Sequence, residues 1–156
     1  MSTTTSHAAT PLPRTGRLWS LAPWLSRLVM FPPGLVFSLI SIRFLTNPVQ
    51  ATPGVTLHTP EAFTDTRVLG AWMVTLLTML ITFLLSEERL WLGHLELAVF
   101  MRVTLAVRIF GFANDGTTLA MGNQRVITIV EIVFLVLNTL GLAVQTRLLK
   151  ASGVGR

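Results

Sequence analysis

One glutamate, Glu131, and four arginines, Arg43, Arg67, Arg102 and Arg108, lie within or beside strongly apolar stretches of this chain. An ionisable side chain at the centre of a membrane helix costs about 2.5–3.5 kcal/mol on insertion scales, so each needs a partner or a role. Glu131 and Arg108 could neutralise one another as an ion pair. Joined by Arg43 and Arg67, they could instead line an outward-opening pocket for an anionic headgroup or a small polar ligand. Catalytic chemistry finds less support. The chain has no glycine-rich phosphate loop and no G-x-S-x-G elbow. It also has no cysteine, which excludes disulfides, thiolate zinc sites, iron–sulfur clusters and cysteine nucleophiles. No two of its histidines, His7, His58 and His94, have helical metal-ligand spacing, so neither a metal nor another cofactor is expected. His94 is the one candidate for holding a haem between helices. Together with a carboxylate it could move protons on a lipophilic substrate. But His94 and Glu131 fall at opposite ends of their stretches, too far apart to share a substrate atom, and an enzyme is the third reading.

The elements that must position these residues follow from composition. Hydrophobic types make up 51% of the 156 residues and charged types 12%, about half the charge of an average soluble domain. With a mean hydropathy of +0.65, this argues for one membrane domain rather than a soluble helical bundle. The net charge of +5 is scattered, so nucleic acid is not an expected partner. Val68–Leu85 is free of charge for eighteen residues, a length of about 27 Å, close to the bilayer's hydrocarbon thickness. The other three spans are placed at Leu28–Leu45, Leu90–Phe112 and Val126–Leu148. The expected fold is all-α, a transmembrane four-helix bundle over residues 25–149. A disordered or interfacial tail (1–24, with Trp19 and Trp24 at headgroup level) precedes it, and a short tail (150–156) follows. Pro32-Pro33-Gly34 should end one short turn and begin a fresh helix. In the 21-residue loop Thr46–Thr66, Thr59 should cap a short interfacial helix that starts at Pro60 and contains Phe63. Arg14, Arg17, Arg27 and Arg89 with Arg147, Lys150 and Arg156 outnumber the basic residues on the other side, which puts both termini in the cytoplasm.

Helical spacing sorts the polar residues further. Gln124, Thr128, Glu131, Asn138 and Gln145 form one stripe, expected to face the bundle interior, with Phe134, Val136 and Leu140 turned elsewhere. Ala71, Thr75, Thr78, Thr82 and Ser86 form a second stripe of small residues, read as a packing face. On the third span Glu96, Arg102 and Arg108 are each six apart, about 120° from one another, and cannot all face one neighbour. Arg102, near the middle, must reach a partner, a water-filled cavity or a subunit interface. His94 is placed at the cytoplasmic boundary. Arg108 lies four residues before the end of its span and Glu131 five after the start of the next, so the two share a depth.

The order Pro48, Thr59-Pro60-Glu61, Arg67-Val-Leu-Gly70-Ala71, Arg108, Asn114-Asp115-Gly116 and Glu131 resembles a family of small four-span bacterial membrane proteins catalogued only as a domain of unknown function. The likeness covers roughly Pro48 to Leu142, and a weaker one runs to DoxX-type four-span proteins. The resemblance implies a multi-pass protein of a bacterial inner membrane but supplies no reaction. The function expected first is a non-enzymatic accessory or interaction subunit, bound to a membrane-protein partner or to a second copy in the lipid bilayer. The alternative is a small transporter or lipophilic-ligand binder, as a dimer, using the stripe around Glu131.

Overall fold

The computed structural model describes residues 17–51, 58–114, 118–120 and 122–152, with the side chains of 17–20 and 152 excepted. Expectations that fall on His7, Arg14, Pro53, Asp115, Gly116 and the Trp19 side chain lie outside the described residues. The described chain is helical without strands: α1 (Arg17–Thr46), the single turn α2 (Pro48–Ala51), α3 (Pro60–Leu85), α4 (Leu90–Asn114) and α5 (Gln124–Ser152). A 3-10 turn at Glu87–Arg89 reverses the chain between α3 and α4. Three helices are long and apolar enough to cross a membrane by length and composition, namely Leu21–Thr46 within α1, α3, and Gln124–Ala151 within α5.

The long helices pair off, α1 along α3 and α4 along α5, with smaller contacts from α1 to α4 and α5 and from α3 to α4. The core is small and apolar, built from Met30, Phe37, Leu80, Leu90, Leu97 and Met101. Phe37 and Phe100 meet edge to face at 4.6 Å between centroids. Outward surfaces are more apolar than an aqueous surface would allow: Trp72 is 71% exposed and Leu85 80%. Apolar side chains turned out and polar ones turned in is the pattern a hydrocarbon solvent produces.

Four expectations change here. Pro32 and Pro33 do not end a helix, because α1 runs unbroken across them and Pro23. Packing overrides the lost hydrogen bonds: Met30, Pro33, Gly34 and Phe37 are all buried, and a Cβ on Gly34 would meet Leu80 at 3.2 Å. Helix α1 also begins at Arg17, within the stretch read as a tail through Trp24. Thr59 does cap a helix, its Oγ1 accepting from the Ala62 N–H at 3.2 Å with Pro60 first in line. That helix is the start of α3 itself, however, because Pro60–Leu85 runs as one continuous helix. Finally, the threonine stripe of α3 faces outward. Thr75, Thr78 and Thr82 are exposed, and each donates to the carbonyl four residues earlier. A hydroxyl satisfied inside its own helix has no need of a neighbour.

The packed face of α3 instead carries Thr66, Gly70 and Leu80. At Gly70 the backbones approach closely, since an added Cβ would lie 2.9 Å from the Phe44 Cβ and 3.2 Å from the Leu45 nitrogen of α1. Gly70→Ala should therefore force α1 and α3 apart at a cost of about 1–3 kcal/mol, read as a lower unfolding midpoint in mild detergent. Ala71→Val on the exposed side should leave that midpoint unchanged.

Candidate functional site

Helix α5 carries its polar residues on one side because Glu131, Asn138 and Gln145 recur every seven residues, close to two helical turns. All three are buried, and Gln124 and Thr128 on the same stripe are half-buried. Val136 and Leu140 face out, whereas Phe134, expected to turn away, packs against the core. Each buried member of the stripe has a partner on a neighbouring helix, so α5 meets its neighbours through three polar rungs.

The rung nearest the α4–α5 connection is the ion pair. Arg108 Nη2 donates to Glu131 Oε1 at 2.6 Å and Nε donates to Oε2 at 2.8 Å, a bidentate fork. The third guanidinium nitrogen, Nη1, donates to Oε1 of Gln124, the first residue of α5. Both oxygens of Glu131 are thereby engaged by the one arginine.

The middle rung is His94 with Asn138. Nδ1 of His94 stands 2.9 Å from Asn138 Oδ1, while Asn138 Nδ2 donates to the Phe134 carbonyl. With its amide hydrogens directed at that carbonyl, Asn138 accepts through Oδ1, so the histidine proton sits on Nδ1. Nε2 is buried without a hydrogen-bond partner among the described residues. His94, four residues from the start of α4, is fully buried against α5. The reason is Gly141, where an added Cβ would fall within the imidazole ring. The ring occupies the space that a side chain at that position would need.

The third rung joins α5 to α1, with Gln145 Nε2 donating to Ser26 Oγ at 2.6 Å. At the same end of α1, Arg27 Nε donates to the Leu84 carbonyl at 3.0 Å and its Nη1 lies 3.8 Å from Glu87 Oε1. The guanidinium also stands 5.6 Å over the Trp24 ring. Arg27 thus satisfies one of the carbonyls that the end of α3 leaves unpaired. Sequence reasoning counted Arg27 only as a topological charge. The available signal was an arginine at a span end facing a two-glutamate turn.

The remaining site candidates are not gathered here. Arg43, Arg67 and Arg102 are exposed, and none makes a hydrogen bond or ion pair among the described residues. Arg43 and Arg67 therefore do not join Glu131 and Arg108 in a polar pocket. Glu96 is different again: both carboxylate oxygens are buried with no hydrogen-bond partner among the described residues. No group of three or more potential metal ligands occurs among those residues. Compared with protein-family models, curated proteins and solved structures, the chain matches none, so the resemblance to four-span bacterial proteins rests on its quoted residues alone.

The fork can be weighed by double substitution. Glu131→Leu should strand the Arg108 charge in an apolar setting and cost about 3–5 kcal/mol. Adding Arg108→Leu should recover most of that loss in detergent unfolding. A double variant no better than the single one would show that the pair is not what the two side chains contribute.

Proposed function

We propose that this chain is a four-span integral membrane protein, both termini cytoplasmic, that acts as a non-enzymatic interaction subunit in a bacterial inner membrane. The fourth span is α4, which carries His94, Glu96, Arg102 and Arg108. What supports its crossing is its contact with α5 at both Arg108–Glu131 and His94–Asn138, fourteen residues apart on α4 and seven apart on α5, about 10 Å of α5. An element packed alongside α5 over that length shares its depth. The basic flanks support the orientation, and the four-span resemblance supports the bacterial setting.

The observation that carries the subunit reading is that the buried polar stripe of α5 is occupied by partners from its own chain. Glu131 spends both oxygens on Arg108, and Asn138 and Gln145 are bonded to His94 and Ser26. A transporter needs a site that a substrate or proton can enter, and Glu131 offers no free oxygen to one. Four spans joined inside by these three rungs, with Arg102 exposed on the outside, suit a protein that works by being bound.

Two measurements test this. Because the chain has no cysteine, single cysteines can be introduced for labelling. Positions Ser2 and Ser152 should label from the cytoplasm and positions His58 and Asp115 from outside; outside labelling at either terminus would overturn the orientation. Mild-detergent purification from native membranes should bring down a second membrane protein in stoichiometric amount. Proton-coupled uptake lost in Glu131→Gln, with no such companion, would favour the transporter instead.

A further inference from the structure

We propose that the outward face of α4 docks a transmembrane helix of another polypeptide, one that brings an Asp or Glu carboxylate to the depth of Arg102. This rests on the interaction-subunit reading and names its contact surface. Arg102 is the central residue of α4, twelve residues in from each end. That is ~18 Å of helix either way, further than a side chain can snorkel to reach water. Its two fellow charges on α4 point into the protein, Arg108 onto Glu131 and Glu96 with its oxygens buried. Arg102 alone turns outward, exposed and without an ion pair or hydrogen bond among the described residues.

The residues around it have the spacing of a helix-packing seam. Leu95, Val99, Arg102, Ala106, Ile109 and Ala113 recur at intervals of four, three, four, three and four, and every one of them is exposed. This is the repeat that keeps one stripe against a neighbouring helix, with the small Ala106 next to Arg102 allowing close approach. No helix among the described residues covers that stripe. The cation in its middle specifies what should: a helix with an anionic group at the same depth, because charges within a membrane pair with one another.

A second copy does not meet that demand. The chain has seven carboxylates. Glu131 is held by Arg108 and the Glu96 oxygens are buried. Glu61 and Asp65 lie in the first two turns of α3, Glu87 and Glu88 in the α3–α4 turn, and Asp115 beyond the end of α4. None is available mid-span, and a symmetric α4–α4 contact would set Arg102 near its own copy.

The test reconstitutes the full chain in phosphatidylcholine vesicles with a labelled host helix of leucine and alanine bearing one central Asp. Energy transfer should report binding about tenfold tighter than to the same helix with Leu in place of Asp, the scale of one interhelical polar contact. Arg102→Leu should abolish the difference, Arg102→Lys should keep most of it, and moving the Asp two turns along the host should lose it. Equal binding by all hosts would overturn the proposal. Self-association of the chain that depends on Arg102 would do so by placing a second copy there, and competition by added phosphatidylglycerol would do so by placing a lipid there. In native membranes a photo-cross-linker at Val99 should capture a partner with a mid-span carboxylate. Capture only from Ile81 or Val133, exposed on α3 and α5, would sink this inference and leave the subunit reading standing; capture from no face would sink both.

Discussion

The register of this protein depends on the requirement that a polar side chain in an apolar interior find its partner at one depth. The bidentate fork between Arg108 and Glu131 fixes how far α5 can slide along α4. A slip of one turn, about 5.4 Å, would break both bonds and leave two charges without compensation. The His94–Asn138 bond sets the same register a second time, farther along the two helices, and Gln145–Ser26 carries it to α1. Apolar packing alone is poor at such discrimination, since lipid tails and leucines solvate a helix about equally. The rungs therefore supply specificity where the hydrophobic effect supplies little.

Close approach is the second constraint, and it acts together with the first. His94 lies buried because Gly141 leaves room for its ring. Gly93, the residue before it, lets α4 reach α1 and α3, where an added Cβ would stand 2.7 Å from Met30 Sδ. One turn of α4 thus serves three neighbours, with a polar contact on one side and tight apolar contacts on the other. Arg27 closes the same end by tying α1 to the last carbonyls of α3 and to the turn at Glu87.

How much of this the sequence discloses depends on whether a polar group can satisfy itself locally. Glu131 and Gln145 bond only to other helices and Asn138 keeps its Oδ1 for His94, so their sevenfold spacing marks the inward face, and the equal distance of Arg108 and Glu131 from the connecting loop places them side by side. Threonine follows another rule. Thr75, Thr78 and Thr82 bond their own backbone carbonyls and face outward, and their spacing looks the same as that of a packing stripe. The prolines of α1 misled for a related reason: propensity describes an isolated helix, whereas Met30, Pro33 and Phe37 are held by neighbours far away in sequence. The burial of His94 is not legible from its own position, because the space that receives its ring lies forty-seven residues on, at Gly141.

The same rule that explains the interior also separates Arg102 from the other ionisable groups of α4. Arginine has five donors and no acceptor, and it does not lose its charge in proteins. It cannot turn back on its own helix as threonine does, and its planar fork seeks a carboxylate as Arg108 has found one. Inside the protein that demand is met by Glu131, and the outcome is a fixed register. On the outward face the demand is identical, but nothing among the described residues meets it. A helix that pairs one arginine within the fold and presents another, set in a seam of Leu95, Val99, Ala106 and Ile109, has its folding and its binding written in the same chemistry on opposite faces.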